Sequence, residues 1–225
     1  MTVAQLTLDL PHRTALDAED FLVSDCNRAA VKLIDAWPEW SDQVQLLIGP
    51  AASGKTHLAR VWQARSGAEA LGPDALGMGA VDDVRARTPI VIEDADRGAY
   101  DEKVLFHLLN LARESRLFVL LTAQSAPSRW AISLPDLLSR LNAAPAVEIG
   151  PPDEALIGAV MLKHFADRQL DIEPKVLTYL ALHVDRSLAA AAAAVAAVDR
   201  AALATGRKIS RQLVIEALAG TGAAD

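Results

Sequence analysis

Apolar residues follow two alternating patterns along this chain: short runs that are apolar throughout, and longer stretches with helical spacing. A run that is apolar at every position is typical of a strand buried on both faces of a parallel sheet. Apolar residues three and four positions apart predict helices that pack one side against such a sheet. The pattern predicts strands over 44–48, 89–92, 117–122 and 146–149, and helices over 27–40, 55–64, 102–115 and 134–141. Strands that alternate with helices predict an α/β fold with a parallel sheet.

The pattern changes at Gly150-Pro151-Pro152, because no strand-like run follows Ile149. The weak, Gly-containing stretch 68–88 predicts one short strand or turn and a helix near 81–86. Beyond the two prolines, helical patterns start near 152, 174, 187 and 210, and the last one ends at Gly220. The sequence therefore predicts an extended tail over 1–12, an α/β base over 13–150 and an all-helical lid over 151–225.

Composition excludes several classes of protein. Cys26 is the only cysteine, so the chain can form no internal disulfide and no site with clustered cysteines. A net charge of −7 favours little or no direct nucleic-acid binding, because such domains carry a basic face. No uninterrupted apolar run reaches the roughly 18 residues of a membrane span, and no signal peptide is visible. We therefore expect a cytoplasmic protein without a membrane partner.

The clearest chemical signal lies between the first predicted strand and the helix that follows it. A strand, the pattern G-x-x-x-x-G-K-T and a helix form the layout of a phosphate-binding loop. Its glycines let the main chain wrap a phosphate, and the N–H groups at the helix start supply partial positive charge. We expect Lys55 to reach the β- and γ-phosphates and the Thr56 hydroxyl to hold Mg²⁺. The predicted nucleotide-binding residues of the loop are Gly49, Pro50, Ala51, Ala52, Ser53, Gly54, Lys55 and Thr56.

Acidic and polar residues end the next two buried strands. Glu93 and Asp94 follow 90–92, and we assign Glu93 to the metal and Asp94 to the attacking water. Thr122 ends the strand 117–122, with Gln124 two positions later, where a polar side chain can sense the γ-phosphate. The alternatives are two solvated acids at a strand end and a plain turn after Thr122.

These motifs resemble the DnaA/Hda family of AAA+ proteins over almost the whole chain after the tail. The resemblance implies an AAA+ P-loop fold with a parallel-sheet base and a small helical lid, and it implies ADP or ATP with Mg²⁺ as cofactors. The matching segments are Asn27-Arg28-Ala29-Ala30, Leu46-Leu47-Ile48-Gly49, Gly54-Lys55-Thr56-His57-Leu58, Leu134-Pro135-Asp136-Leu137-Leu138-Ser139-Arg140-Leu141 and Glu148-Ile149-Gly150-Pro151-Pro152-Asp153.

Within this family the chain is most similar to the Hda members, which inactivate the replication initiator DnaA. We expect no basic helix-turn-helix domain after the lid, and the short stretch before Glu93 leaves little room for helices that contact single-stranded DNA. The tail resembles the peptide by which such proteins bind the β subunit of the DNA polymerase sliding clamp. In such a peptide a glutamine bonds at a pocket rim and leucines fill apolar pockets. The residues concerned are Gln5, Leu6, Leu8 and Leu10. The alternative is a strand added to the protein's own sheet.

The resemblance also identifies a catalytic residue and two departures from the family pattern. Arg140 matches the arginine finger, which would act in the ATP site of DnaA; the alternative is a solvated arginine on a helix face. Glu93 stands where the family usually has aspartate. Ala189 stands where the lid usually carries a nucleotide-sensing arginine, and Arg186 is three residues earlier. We therefore expect a weak ATPase at most, with a nucleotide, ADP in particular, as a structural ligand.

Three functions are consistent with these residues. The first is a clamp-tethered negative regulator of replication initiation that stimulates ATP hydrolysis by DnaA. The second is a replication-associated AAA+ ATPase acting as a loader or motor in its own right. The third is a tethering module with a vestigial nucleotide site. The resemblance also leaves room for a homo-oligomer.

Overall fold

The computed structural model describes residues 21–72, 88–97 and 100–221. Within these ranges all the strands lie before residue 149, helices separate most of them, and only helices follow. The strands are β1 Val44–Ile48, β2 Glu69–Leu71, β3 Ile90–Ile92, β4 Val119–Ala123 and β5 Ala146–Glu148. The helices are α1 Arg28–Asp35, α2 Lys55–Ser66, α3 Glu102–Ser115, α4 Pro135–Ala143, α5 Glu154–Asp167, α6 Pro174–Leu182, α7 Leu188–Thr205 and α8 Arg211–Thr221.

The five described strands form one parallel sheet in the order β2-β3-β4-β1-β5. Strand β1 lies between β4 and β5, with Leu46 opposite Leu121 on one side and Ala146 on the other. Every residue of β1, β3 and β4 is buried, as the continuous apolar runs predict. The predicted α/β fold with a parallel sheet is confirmed. Because the strands are parallel, the carboxyl ends of β1, β3 and β4 lie together at one edge.

Most element boundaries match the sequence prediction, and helix α1 is the main exception. The apolar spacing runs from Asn27 to Trp40 and predicted a helix that Pro38 closes, but α1 ends slightly earlier, at Asp35. Beyond the helix, Nε1 of Trp40 donates a 2.7 Å hydrogen bond to the main-chain oxygen of Leu33. Trp40 therefore folds back onto the helix instead of extending it. The tail over 1–12 and the helix predicted near 81–86 lie outside the described residues.

The chain divides into two compact units, each with its own core. The described part of the sheet unit is Phe21 together with residues 27–72, 88–97 and 100–150, and that of the helical unit is 22–26 and 151–221. In the sheet unit, α3 and α4 pack together and contribute to the apolar core that covers the sheet. All four tryptophans of the chain belong to the sheet unit: Trp37, Trp40, Trp62 and Trp130.

The helical unit is built from α5 to α8 around Met161, Phe165 and Val195, all fully buried. Side chains cap its helices, since Asp153 accepts a hydrogen bond from Leu156 N and Ser187 accepts one from Ala190 N. In the described residues, α7 alone has the length and composition of a membrane span, with 18 residues and a mean hydropathy of 1.5. The sequence predicted this helix from about residue 187, but did not count it as a candidate span because Asp199 and Arg200 interrupt its apolar run. One face of α7 packs into the core of this unit.

Candidate functional site

The loop between β1 and α2 has the backbone of a tight cradle. Gly54, just before α2, has φ +94°, and Ala52 has φ +56°. A Cβ atom on Gly54 would lie 2.7 Å from Cε2 of Phe21, and one on Gly49 would lie 2.8 Å from Oγ of Ser53. Both positions therefore require glycine, for backbone freedom at Gly54 and for close packing at both. The pattern of glycines predicted from the sequence has these physical causes.

Lys55 is the buried cation of this loop, and only 6% of it is exposed. Its Nζ donates hydrogen bonds to the main-chain oxygens of Gly49 at 2.7 Å and Pro50 at 2.8 Å. Burial lowers the pKa of Lys55 below its ordinary value of 10.5, and the charges of Asp94 and Asp96 oppose that shift. The ammonium group is thus held inside the loop, with acids facing it from the neighbouring strand end.

A cavity of about 310 Å³ opens beside this lysine. Its lining brings together most of the predicted site: the loop residues Ala51, Ala52, Ser53, Gly54, Lys55 and Thr56, joined by Asp94 and Gln124. Gly49 and Pro50 contribute the carbonyls that bind Lys55. Glu93 and Thr122 are not among the lining residues, so the structure places Asp94 at the cavity and Glu93 beside it. We call this space the phosphate cavity.

Thr122 joins the two strand ends instead of lining the cavity. Its side chain is buried, and Oγ1 accepts a 3.1 Å hydrogen bond from Asp94 N. Its main-chain oxygen accepts a second hydrogen bond, of 2.8 Å, from Ala95 N. Asp94 has φ +50°, so these bonds support an uncommon conformation that presents the acid. The structure thus shows Thr122 supporting Asp94, and the role in sensing phosphate predicted for Thr122 stays a prediction.

Asp96 and Arg97 are functional candidates that the sequence prediction missed. Oδ2 of Asp96 accepts hydrogen bonds from Gln124 N at 2.9 Å and from Ser125 N at 3.1 Å. Arg97 donates a 2.8 Å hydrogen bond to Oε1 of Gln124. These contacts join residues 27 to 29 positions apart, so only the fold brings them together. The one local feature that could have indicated Asp96 is the density of acids in Glu93-Asp94-Ala95-Asp96.

The residues of the phosphate cavity fit the phosphates of a nucleotide. Oγ of Ser53 is buried without a hydrogen-bond partner among the described residues, and the start of α2 offers main-chain N–H groups. The Thr56 hydroxyl and the Asp94 carboxylate line the same cavity, and they suit Mg²⁺, which takes oxygen ligands. The described residues contain no group of three or more His, Cys, Asp or Glu side chains arranged so that they alone could hold a metal ion. A metal here would therefore depend on phosphate oxygens and water for its remaining ligands.

Arg140 lies elsewhere in the sheet unit, in the last turn of α4. The start of α4 is fixed by Glu102, whose carboxylate accepts hydrogen bonds from Ser133 N at 2.9 Å and Leu134 N at 2.6 Å. The guanidinium of Arg140 lies 5.8 Å from the ring centroid of Phe106. It lines a separate cavity of about 370 Å³, together with Phe106, Arg113, Asp136, Ser139 and Ala143. Arg140 is half-buried there and does not line the phosphate cavity.

The remaining predicted positions fall outside these two cavities. Gln5, Leu6, Leu8 and Leu10 lie outside the described residues, so their assignment to clamp binding stays a prediction. Ala189 and Arg186, the positions considered for the nucleotide-sensing arginine, are both exposed in the helical unit.

Known structures with this fold include those of DnaA and RuvB proteins. Domain III of the replication initiation protein DnaA from Thermotoga maritima gives a TM-score of 0.73 at 19% identity, over 90% of this chain and 95% of that one. AMPPCP-bound DnaA from Aquifex aeolicus gives 0.65 at 16% identity, over 80% of this chain and 63% of that one. The Holliday junction branch migration motor RuvB from Thermotoga maritima gives 0.68 at 16% identity, over 85% and 66%.

No protein-family model and no curated protein sequence matches the chain. The structural similarity therefore establishes the AAA+ fold, and the predicted fold class is confirmed. Two of the similar DnaA structures hold the nucleotide analogue AMPPCP, one of them together with single-stranded DNA.

Proposed function

We propose that this chain is a nucleotide-binding AAA+ regulator of replication initiation that stimulates ATP hydrolysis by DnaA. One observation carries the proposal: the half-buried Arg140 lies in its own cavity, apart from the phosphate cavity of the same chain. An arginine that cannot serve its own nucleotide is suited to act on the nucleotide of another subunit. The similarity in fold to DnaA supports DnaA as the proposed partner.

The chemistry proposed for Arg140 is electrostatic. A guanidinium stabilises the charge that develops on phosphate oxygens during phosphoryl transfer, and such a residue can contribute about 10³–10⁵ in rate. The ring of Phe106 supports the guanidinium without neutralising it. The hydrogen bonds of Glu102 fix the start of α4 and hence the direction in which this helix carries Arg140.

The chain's own nucleotide, ADP or ATP, is proposed to be mainly structural. Lys55 and the main-chain N–H groups would hold its phosphates, Thr56 with Asp94 or Glu93 would hold Mg²⁺, and Asp94 would orient water. Position 189 carries alanine, so the helical unit supplies no arginine at the position of the family's sensor. We therefore propose at most weak ATP hydrolysis by the isolated chain.

The N-terminal segment completes the proposal. Gln5, Leu6, Leu8 and Leu10 would bind the β sliding clamp, so regulation would act on DnaA near loaded clamps. The cytoplasm is the compartment that this role requires. Direct nucleic-acid binding is not needed, because the clamp supplies the contact with DNA.

The test is the turnover of DnaA-bound ATP in the presence of clamp loaded on DNA and the full-length chain. Arg140→Ala should lower the stimulation by about three orders of magnitude, the lower end of the range for such residues. Arg129→Ala is the matched control, because Arg129 is an exposed arginine of the same unit outside both cavities. Normal stimulation by the Arg140→Ala protein would show that the proposal is wrong.

A motor or loader is the second candidate, since the fold is as similar to RuvB as to the longer DnaA chain. This function predicts substantial ATP turnover by the isolated chain, lost in Lys55→Ala. A pure tethering module predicts instead that Lys55→Ala has no effect while Gln5→Ala abolishes activity in replication assays.

A further inference from the structure

Arg97 lies at the end of the turn that follows β3, with its side chain exposed. The turn is closed by a 2.8 Å hydrogen bond from Arg97 N to the main-chain oxygen of Asp94. The Arg97 guanidinium then spans the gap to the segment after β4 and donates its 2.8 Å hydrogen bond to Gln124. Arg97 thus connects the strand end that carries the acids to the one that carries Gln124.

This contact fixes the orientation of the Gln124 carboxamide. A guanidinium has only donors, so the oxygen of the amide must face Arg97 and the NH₂ group must point away from it. The backbone of Gln124 is held independently, because Gln124 N donates to Asp96. Gln124 lines the phosphate cavity with Lys55 and Asp94. Because Arg97 occupies the oxygen of the Gln124 carboxamide, the two N–H donors of this group remain for the phosphate cavity.

Arg97 also acts on the cavity through its charge. Its positive charge is one of the influences that lower the pKa of Lys55, so the two cations lie within electrostatic range of each other. A nucleoside triphosphate carries more negative charge than a diphosphate and places an additional phosphate beyond the β-phosphate. Both the charge of Arg97 and the donors of Gln124 therefore favour the triphosphate.

We infer that Arg97 is a positioning residue that turns the Gln124 amide donors into the phosphate cavity and thereby selects a nucleoside triphosphate over a diphosphate. The inference rests on the nucleotide site of the proposed function, because it concerns the same cavity. It assigns the preference for the triphosphate to a contact within the sheet unit.

Binding of fluorescent ADP and of a fluorescent non-hydrolysable ATP analogue to the full chain tests the inference. Arg97→Ala should weaken binding of the triphosphate about tenfold, the loss of roughly one charge-assisted hydrogen bond, and binding of ADP less than about twofold. Arg129→Ala removes the same charge in the segment after β4 and should leave both affinities unchanged. In a Gln124→Ala background, Arg97→Ala should cause a clearly smaller loss, because only the effect of its charge remains once the amide is gone. Arg97→Lys keeps a donor and should restore part of the preference.

The outcomes separate this inference from the proposed function. If the unaltered chain binds both nucleotides and Arg97→Ala weakens both equally, the inference is wrong and the nucleotide site stands. Additive losses from Arg97→Ala and Gln124→Ala would also overturn it. If the unaltered chain binds neither nucleotide, both proposals fail.

Discussion

Replacing Gly54 by alanine should destabilise the sheet unit through two effects that can be measured separately. The first is the backbone, because φ +94° is unfavourable for a residue with a Cβ atom, at about 1–2 kcal/mol. The second is steric, because the new Cβ would lie 2.7 Å from Cε2 of Phe21 and 3.3 Å from its Cζ. That ring stacks on His57 with a centroid distance of 5.0 Å, and disturbing an aromatic pair costs about 0.5–1.5 kcal/mol. The expected loss is about 1.5–3.5 kcal/mol.

The assay is urea unfolding followed by tryptophan fluorescence. All four tryptophans belong to the sheet unit, so the signal reports the unit that carries the mutation. Gly67→Ala is the matched control, because Gly67 has φ +68° and a Cβ there would meet nothing within 4 Å. That variant should show the backbone effect alone. In a Phe21→Ala background, the cost of Gly54→Ala should fall to the same level. Equal losses at Gly54 and Gly67, together with no coupling to Phe21, would refute the reasoning.

Three further predictions concern single side chains. Nucleotide affinity should fall as the pH rises through the pKa of Lys55, which lies below 10.5, because only the ammonium form binds phosphate. Titration with a fluorescent nucleotide at several pH values measures this, and an affinity that does not change with pH would contradict it. Glu102→Gln should destabilise the sheet unit by about 1 kcal/mol, since two main-chain donors lose a charged acceptor, and should raise hydrogen exchange at Ser133 and Leu134. Ser187→Ala should destabilise the helical unit by about 1 kcal/mol through loss of the cap of α7, measured by circular dichroism, while Ser187→Asp should retain the stability.

The sequence predicts those features of the fold and site that depend on local chemistry. The continuous apolar runs predict β1, β3 and β4, and the glycine pattern predicts the loop because the backbone at Gly54 excludes other residues. Pro38 predicted the end of α1 to within a few residues, but the spacing did not predict the hydrogen bond by which Trp40 returns to Leu33.

Interactions between distant segments were not predictable from the sequence. Asp96 and Arg97 follow the predicted acids closely in the chain, but their partners lie in the segment after β4. Only the pairing of β3 with β4 brings these segments together. The sequence assigned Thr122 to the γ-phosphate and Asp94 to the attacking water, in both cases because the residue lies at the end of a buried strand. The bond between these two residues could be seen only in the structure.

The two carbonyl contacts of Lys55 have a consequence for the choice of anion. A ligand must compete with the main-chain oxygens that already accept hydrogen bonds from the Lys55 ammonium. The free energy that the ligand gains is therefore the difference between its own hydrogen bonds and those that it displaces. Weakly charged or monodentate anions gain little from this exchange. A polyphosphate gains more, because it also engages the amide groups at the start of α2. The carbonyl contacts of Lys55 therefore disfavour binding of common cellular anions such as chloride relative to polyphosphates.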